Sequence, residues 1–364
     1  MRPVRNDRRW FAIGDLQTTF DRFMQVLTRY GLLRGDRLAP DVGLVSVGDY
    51  FDYGVVDASN AHVVGREGTR IVRWLTDHPR EQTVVLLGNH DMARVQELAF
   101  ETDEGFAAAQ LFAQRCAVRP ELRDKFFADF PRIPTPEVAL RDFSAFMVEQ
   151  RTLLQTLLME DRVGLALAAW RDGEDLLVTH AGVTTTDLAN ADSHATTVPE
   201  VAEALNGFLR HRVGRVAPKW RAGEDAELDL APLCTFGISG NEGGGLVHHR
   251  PADPDRDGIV DRQWEMNSER VRRFDPRGLL PGLRQACGHT SHARCVKEMP
   301  RWTDVSTASS TAGSIRCLSV DGDDVRYRVG TTPQAPTSLL LIDGDINRVP
   351  VSAYELLPLD GVRL

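Results

Sequence analysis

The side chains able to do chemistry in this chain stand at the ends of apolar runs. Val84-Val85-Leu86-Leu87 leads into Gly88-Asn89-His90-Asp91, which sets a carboxamide, an imidazole and a carboxylate within one turn. The pattern recurs with Trp10–Ile13 before Gly14-Asp15, Leu44–Val47 before Gly48-Asp49, Leu176–Thr179 before His180, and Ala286-Cys287 before Gly288-His289. Short apolar runs bounded by turn residues read as buried strands. In open α/β sheets, sites form where strand carboxyl ends converge. Five strand ends that each carry a group able to bind a metal therefore predict one shared site. Taken singly, each Asp or Asn could instead cap a helix or close a turn.

The elements that must position these groups follow from periodicity. Residues 9–14, 43–48 and 83–88 read as strands. Phe20, Phe23, Met24 and Leu27 fall at helical spacing, which places a helix over 19–31. Val63, Ile71, Trp74 and Leu75 mark a second helix before Pro79. This βαβαβ opening predicts parallel strands. Residues 92–170 are rich in Ala, Leu, Glu, Arg and Phe, and Thr135-Pro136-Glu137 reads as an N-cap followed by proline at the first helical position. The expectation is a helical insertion that either caps the site and selects substrate or enlarges the core or a dimer face. Strand returns over 175–181 and delivers His180. A helix runs from Pro199 to Val213, and 223–262 is irregular. Strands near 284–289, 315–320, 325–329 and 337–342 form a second sheet.

The chain has 364 residues, 42% of them apolar, enough for a large core in one domain spanning 1–364. A net charge of −9 argues against non-specific nucleic-acid binding, which needs basic surface. Five scattered cysteines fit a reducing cytoplasm better than a disulfide framework. Arg2, Arg5, Arg8 and Arg9 precede only four apolar residues, too few for a signal sequence. No apolar run reaches membrane-spanning length, so no membrane association is expected.

Gly14-Asp15-x-Gln17, Gly48-Asp49-x-x-Asp52, Gly88-Asn89-His90-Asp91, His180 and Gly288-His289 resemble, in order, the five signatures of the calcineurin-like metallophosphoesterase superfamily. Gly14-Asp15-Leu16-Gln17 followed by Phe20 and Phe23 is similar to bacterial symmetric diadenosine-tetraphosphate hydrolases and phosphoprotein phosphatases. The resemblance implies an α/β fold, a four-layer α/β/β/α sandwich, with two divalent ions. It implies that Asp15 and Gln17 hold the first ion, that Asn89, His180 and His289 hold the second, and that Asp49 bridges them. A mixed oxygen and nitrogen set suits Mn, Fe, Zn or Co better than Ca. His90 matches the non-ligand imidazole that protonates the leaving group or holds the phosphate, with Asp91 expected to orient it. Asp52 is expected to stand behind the ligands and fix them.

Gln17 departs from the family, which usually has His there; a carboxamide ligates borderline metals more weakly and points to a loosely held first ion. Many members continue Gly-His-x-His, whereas this chain reads Gly288-His289-Thr290-Ser291-His292, so His292 is a possible ligand one residue out of step. Cys287, His289, His292 and Cys295 also have spacings open to a structural zinc. Gly243-Gly244-Gly245 leads to His248-His249-Arg250; Arg250 is the expected phosphate clamp, Arg94 a second candidate, and the two histidines structural. Asp253, Asp255, Asp257 and Gly258 imitate the start of a calcium loop, but Trp264 stands where its closing acid belongs.

These readings imply a phosphatase that cleaves a phosphate monoester by direct attack of metal-bound hydroxide, on a phosphorylated small molecule or a phosphoprotein. A dinucleoside polyphosphate hydrolase and a metal-poor protein that binds phosphorylated partners remain alternatives.

Overall fold

The opening strands do pair in parallel. In the computed structural model, which describes residues 8–54, 60–255 and 272–364, β1 (Arg9–Ile13) runs alongside β2 (Val42–Ser46), and β2 alongside β3 (Thr83–Val85). The connections are helical. In α1 (Phe20–Arg29) the Thr19 side chain caps by accepting from the Arg22 N–H, and Phe23, Val26 and Leu27 are buried. In α2 (Ala61–Thr76) Ile71, Val72 and Leu75 face inward.

The second sheet has seven strands. They are β4 (Ala166–Arg171), β5 (Glu174–Thr179), β6 (Arg284–Cys287), β7 (Arg316–Asp321), β8 (Asp324–Val329), β9 (Thr337–Leu341) and, after β10 (Leu357–Leu359), β11 (Gly361–Arg363). Their spatial order is β8-β7-β9-β6-β5-β4-β11. β6 lies parallel to both β5 and β9, so those three strands end on the same edge. β10 instead joins the first sheet, antiparallel to β1.

Side chains alternate between faces along each strand. Trp10, Ala12, Val45 and Val47 of the first sheet meet Leu167, Leu176, Val178, Ala286 and Leu340 of the second in a core between the sheets. The alternate residues point outward. Ile13 and Leu44 pack with α1 and α2, while Ala166, Ala168 and Leu177 pack with α9 (Val198–Arg221). Beyond the far half of the second sheet, Cys295 and Met299 of α10 (His292–Glu298) and the segment after it cover Leu339, Leu341 and Tyr327. The layers run helix, sheet, sheet, helix.

Between α3 (Asn89–Ala93) and β4 lie four α-helices, α4 (Asp103–Val118), α5 (Arg123–Asp129), α6 (Pro136–Arg141) and α7 (Val148–Met159). Phe106, Phe126, Val138, Phe143 and Phe146 give this region an apolar cluster of its own. The sequence reading extended the helical insertion to 170, but Ala166–Arg171 is strand β4, hydrogen-bonded to β5 along its whole length. An alanine-rich run with no β-branched residue carries little β signal in its composition, and tertiary pairing decides it. The second half of the calcium-like loop, with Asp257, Gly258 and Trp264, lies outside the described residues, as do Arg2 and Arg5. Asp253 itself is buried and ion-paired with Arg301 at 2.9 Å. No helix among the described residues is long and apolar enough to cross a membrane.

Candidate metal centre

The five strand ends converge. Asp15 follows β1, Asp49 follows β2, Asn89 opens α3 after β3, His180 follows β5 and His289 follows β6, and all five are buried. Two of the turn glycines leave room for this approach. A Cβ on Gly88 would collide with Asp49 Oδ1 and lie 2.5 Å from His180 Cε1. A Cβ on Gly288 would collide with Asp15 Oδ1. Asp49, Asp52 and His289 adopt left-handed backbone angles, with φ of 53°, 65° and 60°. Each such residue costs on the order of 1–3 kcal/mol and persists only where its surroundings hold it.

Hydrogen bonds do the holding. Asp91 accepts from the N–H groups of Asp49 (2.8 Å), Tyr50 (3.0 Å) and Gly88 (2.8 Å), which ties the second and third loops together. Asp49 Oδ1 accepts from the His90 N–H at 3.0 Å. Asp15 takes the His289 N–H on both oxygens, at 2.9 and 3.1 Å.

The histidine tautomers follow from their partners. His180 Nδ1 lies 2.8 Å from the Val47 carbonyl, and His289 Nε2 lies 2.9 Å from the His248 carbonyl. Carbonyls only accept, so those nitrogens carry the protons. The remaining nitrogens, His180 Nε2 and His289 Nδ1, are then bare and face each other at 3.1 Å. Asn89 Oδ1 stands 3.3 Å and Asp49 Oδ1 3.6 Å from His180 Nε2. Burial pushes both histidines below their ordinary pKa, which keeps them neutral as ligands must be.

Lone pairs converging on one point repel unless a cation stands among them. Asp49, His180 and His289 offer donor atoms all within 4.8 Å of one another, the group of this kind among the described residues. The carboxylates tell the same story. Burial, then the charges of Asp343 and Asp49, push Asp15 well above the usual carboxylate range. Burial, then Asp345, pushes Asp343 up to about 7. The residues present fit divalent cations.

His90 stands beside this group. Its Nδ1 contacts Asp52 Oδ2 at 3.0 Å and its Nε2 lies 3.9 Å from Asp49 Oδ2. Burial pulls its pKa down, but the Asp49 and Asp52 carboxylates outweigh that and raise it to about 9. Asp52, not Asp91, therefore orients the imidazole; Asp91 is spent on backbone N–H groups. Asp52 is in turn held by Arg94 at 2.6 Å and by the Ala145 N–H at 2.7 Å.

A cleft of about 650 Å³ opens over the site, lined by Asp15, Gln17, Asn89, His90, Arg250 and Asp343 among others. Among the described residues, Gln17 reaches the Asp52 carbonyl, at 3.5 Å. Arg250 reaches the His289 carbonyl with Nε at 3.3 Å. Arg94 does not face the cleft: it is fully buried between Asp52 and Gln150. His292 packs against Tyr327, its Nδ1 3.1 Å from the hydroxyl, away from the metal group. The zinc arrangement through Cys287 and Cys295 does not form, since His289 joins Asp49 and His180 instead. His248 contributes its carbonyl rather than its ring, and His249 Nε2 donates to the Gly182 carbonyl, 2.7 Å away.

A family model described as calcineurin-like phosphoesterase matches residues 9–211, through His180. The chain belongs to that family. Metallophosphoesterase membership implies metal-dependent hydrolysis of phosphoesters. Solved structures of a cold-active protein tyrosine phosphatase are similar at a distance. A mutant of it is 15% identical over 57% of this chain and 49% of that one, with a TM-score of 0.30. The enzyme from a psychrophilic Shewanella species is 14% identical over 60% and 52%, also at 0.30. The matched part spans about half the length of those chains. No curated protein matches this chain.

Proposed function

We propose that this metallophosphoesterase cleaves phosphate monoesters at a two-ion centre, taking a phosphorylated small molecule or a phosphoprotein. The observation that carries the reading is the bare pair, His180 Nε2 and His289 Nδ1, 3.1 Å apart beside Asp49. Asp15, Gln17 and Asp49 would hold one divalent ion, and Asp49, Asn89, His180 and His289 the other. Such ions, when bound, supply the charge that activates water and offsets the transferring phosphoryl group.

The chain's own residues supply the rest. Arg250 has a guanidinium held by the His289 carbonyl at Nε and by the His248 carbonyl at one terminal nitrogen, and the second terminal nitrogen is available to phosphate oxygens. His90, with Nδ1–H directed to Asp52, presents Nε2 on the cleft side near Asp49. As an imidazolium it gives the Nε2 proton to the departing ester oxygen and is left neutral. The nucleophile comes from water, so no covalent phospho-enzyme is needed.

A second reading, hydrolysis of dinucleoside polyphosphates, draws support from Arg141, Arg272 and Arg294, which line the same cleft as Arg250 and could engage a longer anion. Five buried cysteines without disulfides support a cytoplasmic setting.

The test is phosphate release from an aryl phosphate with Mn, Fe, Zn or Co supplied, beside metal content by mass spectrometry. Asp49→Ala should abolish turnover and lower bound metal. His90→Ala should keep its metal and lose turnover by roughly 10²–10⁴-fold. Near-normal rates in both variants would sink the assignment. Wild-type protein that binds phosphopeptides but releases no phosphate would instead mark a non-catalytic relative.

A further inference from the structure

Resting on that reading, we propose that Asp343 is a metal ligand, which completes the first ion's site as an all-oxygen set with Asp15, Gln17 and Asp49. β9 lies parallel to β6 with Leu341 opposite Cys287, and the Ile342 N–H donates to the Cys287 carbonyl at 2.8 Å. Asp343 comes two residues after Leu341, as His289 comes two after Cys287. The end of β9 is thus a sixth strand end at the same edge. Its run, Leu339-Leu340-Leu341-Ile342 before Asp343-Gly344, repeats the pattern of the other five.

The approach to Asp15 is close. A Cβ on Gly14 would collide with the Ile342 carbonyl and lie 3.0 Å from Asp343 Cα. Only a residue without a side chain lets these two backbones touch, and the contact sets Asp343 beside the Asp15 turn. Asp343 lines the same cleft as Asp15 and Gln17. One of its oxygens accepts from the Asp345 N–H at 3.1 Å, and the other is left for an ion.

The first ion needs such a group. Position 17 carries Gln, and His292 is engaged with Tyr327, so neither brings an imidazole to this side. The bare nitrogens of His180 and His289 independently place a cation against Asp49, the carboxylate both ions share. With Asp343 added, one ion meets only oxygen and the other meets two imidazoles. Oxygen-only sets suit Mn²⁺ or Mg²⁺, and nitrogen-bearing sets suit Zn²⁺ or Fe²⁺. The two positions then differ in metal preference.

The experiment is titration of metal-stripped full-length protein with Mn²⁺ and with Zn²⁺, read by calorimetry and by bound metal per chain. Wild type should show two binding steps. Asp343→Asn and Asp343→Ala should weaken one Mn²⁺ step at least about tenfold, in line with losses at ligand-supporting positions, and leave the other unchanged. Asp343→His should turn the weakened step toward Zn²⁺. Two unchanged steps in Asp343→Ala, with wild type binding two ions, would overturn this proposal alone. Wild type that takes up no metal would overturn it together with the reading it rests on. Unfolding curves without metal, matched between wild type and Asp343→Asn, identify a folded variant.

Discussion

Asp52 shows how one carboxylate can govern a proton. It touches His90 Nδ1 at 3.0 Å and is itself gripped by Arg94 and the Ala145 N–H, so the imidazole is fixed in tautomer and direction. Burial alone would raise the Asp52 carboxyl, but Arg94 and His90 bring it below the usual range. The reverse effect falls on His90, at about 9. A histidine raised in this way is protonated below that value and loses its proton as pH rises through it. Turnover that depends on the imidazolium should therefore fall on the alkaline side, at or below pH 9, because bound cations offset part of the Asp49 charge. Asp52→Asn should move that limb downward and lower turnover by less than His90→Ala does. A pH–rate profile of both variants checks this, with metal content held equal. An alkaline limb unchanged in His90→Ala would assign the proton elsewhere.

At the scale of elements, the centre depends on how tightly the strand-end turns are pressed together. Gly88→Ala would force a methyl onto Asp49 Oδ1 and toward His180 Cε1, and Gly288→Ala would force one onto Asp15 Oδ1. Neither turn can yield without displacing a proposed ligand, so each variant should weaken metal binding at least about tenfold while the sheets still form. Metal titration beside thermal unfolding separates the two effects. Much of this arrangement was legible in the sequence, because β1, β2, β3, β5 and β6 each advertise themselves by an apolar run ended by glycine or a ligand. β4 was not legible: Ala166–Trp170 has no β-branched residue, and only its pairing with β5 makes it a strand. Asp343 went unread although its run was visible, because a strand assigned to the second sheet gave no sign that β9 lies next to β6. The exchange of roles between Asp52 and Asp91 is likewise spatial. Both sit near His90 in sequence motifs, but Asp91 is turned toward three backbone N–H groups and Asp52 toward the ring.

The whole molecule sets a local field against its own net charge. The chain carries −9, yet its cleft gathers Arg141, Arg250, Arg272, Arg273 and Arg294 together with the carboxylates. Several of these are partly offset: Arg272 pairs with Glu242 at 2.9 Å and Arg273 with Glu298 at 3.1 Å. Arg250 faces its neighbours' like charge instead; burial and then Arg272 lower it to about 10, so it remains a cation at neutral pH. Crowded guanidiniums beside two divalent ions would favour a dianion entering the cleft, while the anionic remainder of the surface would repel it. Guided entry of this kind is screened over about 8–10 Å at 0.1–0.15 M salt. kcat/KM for a dianionic monoester should therefore fall as salt rises, with kcat changed much less. Arg250→Ala should raise KM and flatten that salt dependence, since it removes the guanidinium proposed to hold the phosphate. Arg272→Ala should do so for longer anions that also engage Arg272. A salt response identical in wild type and Arg250→Ala would show that the field arises from the ions alone and that Arg250 holds no phosphate.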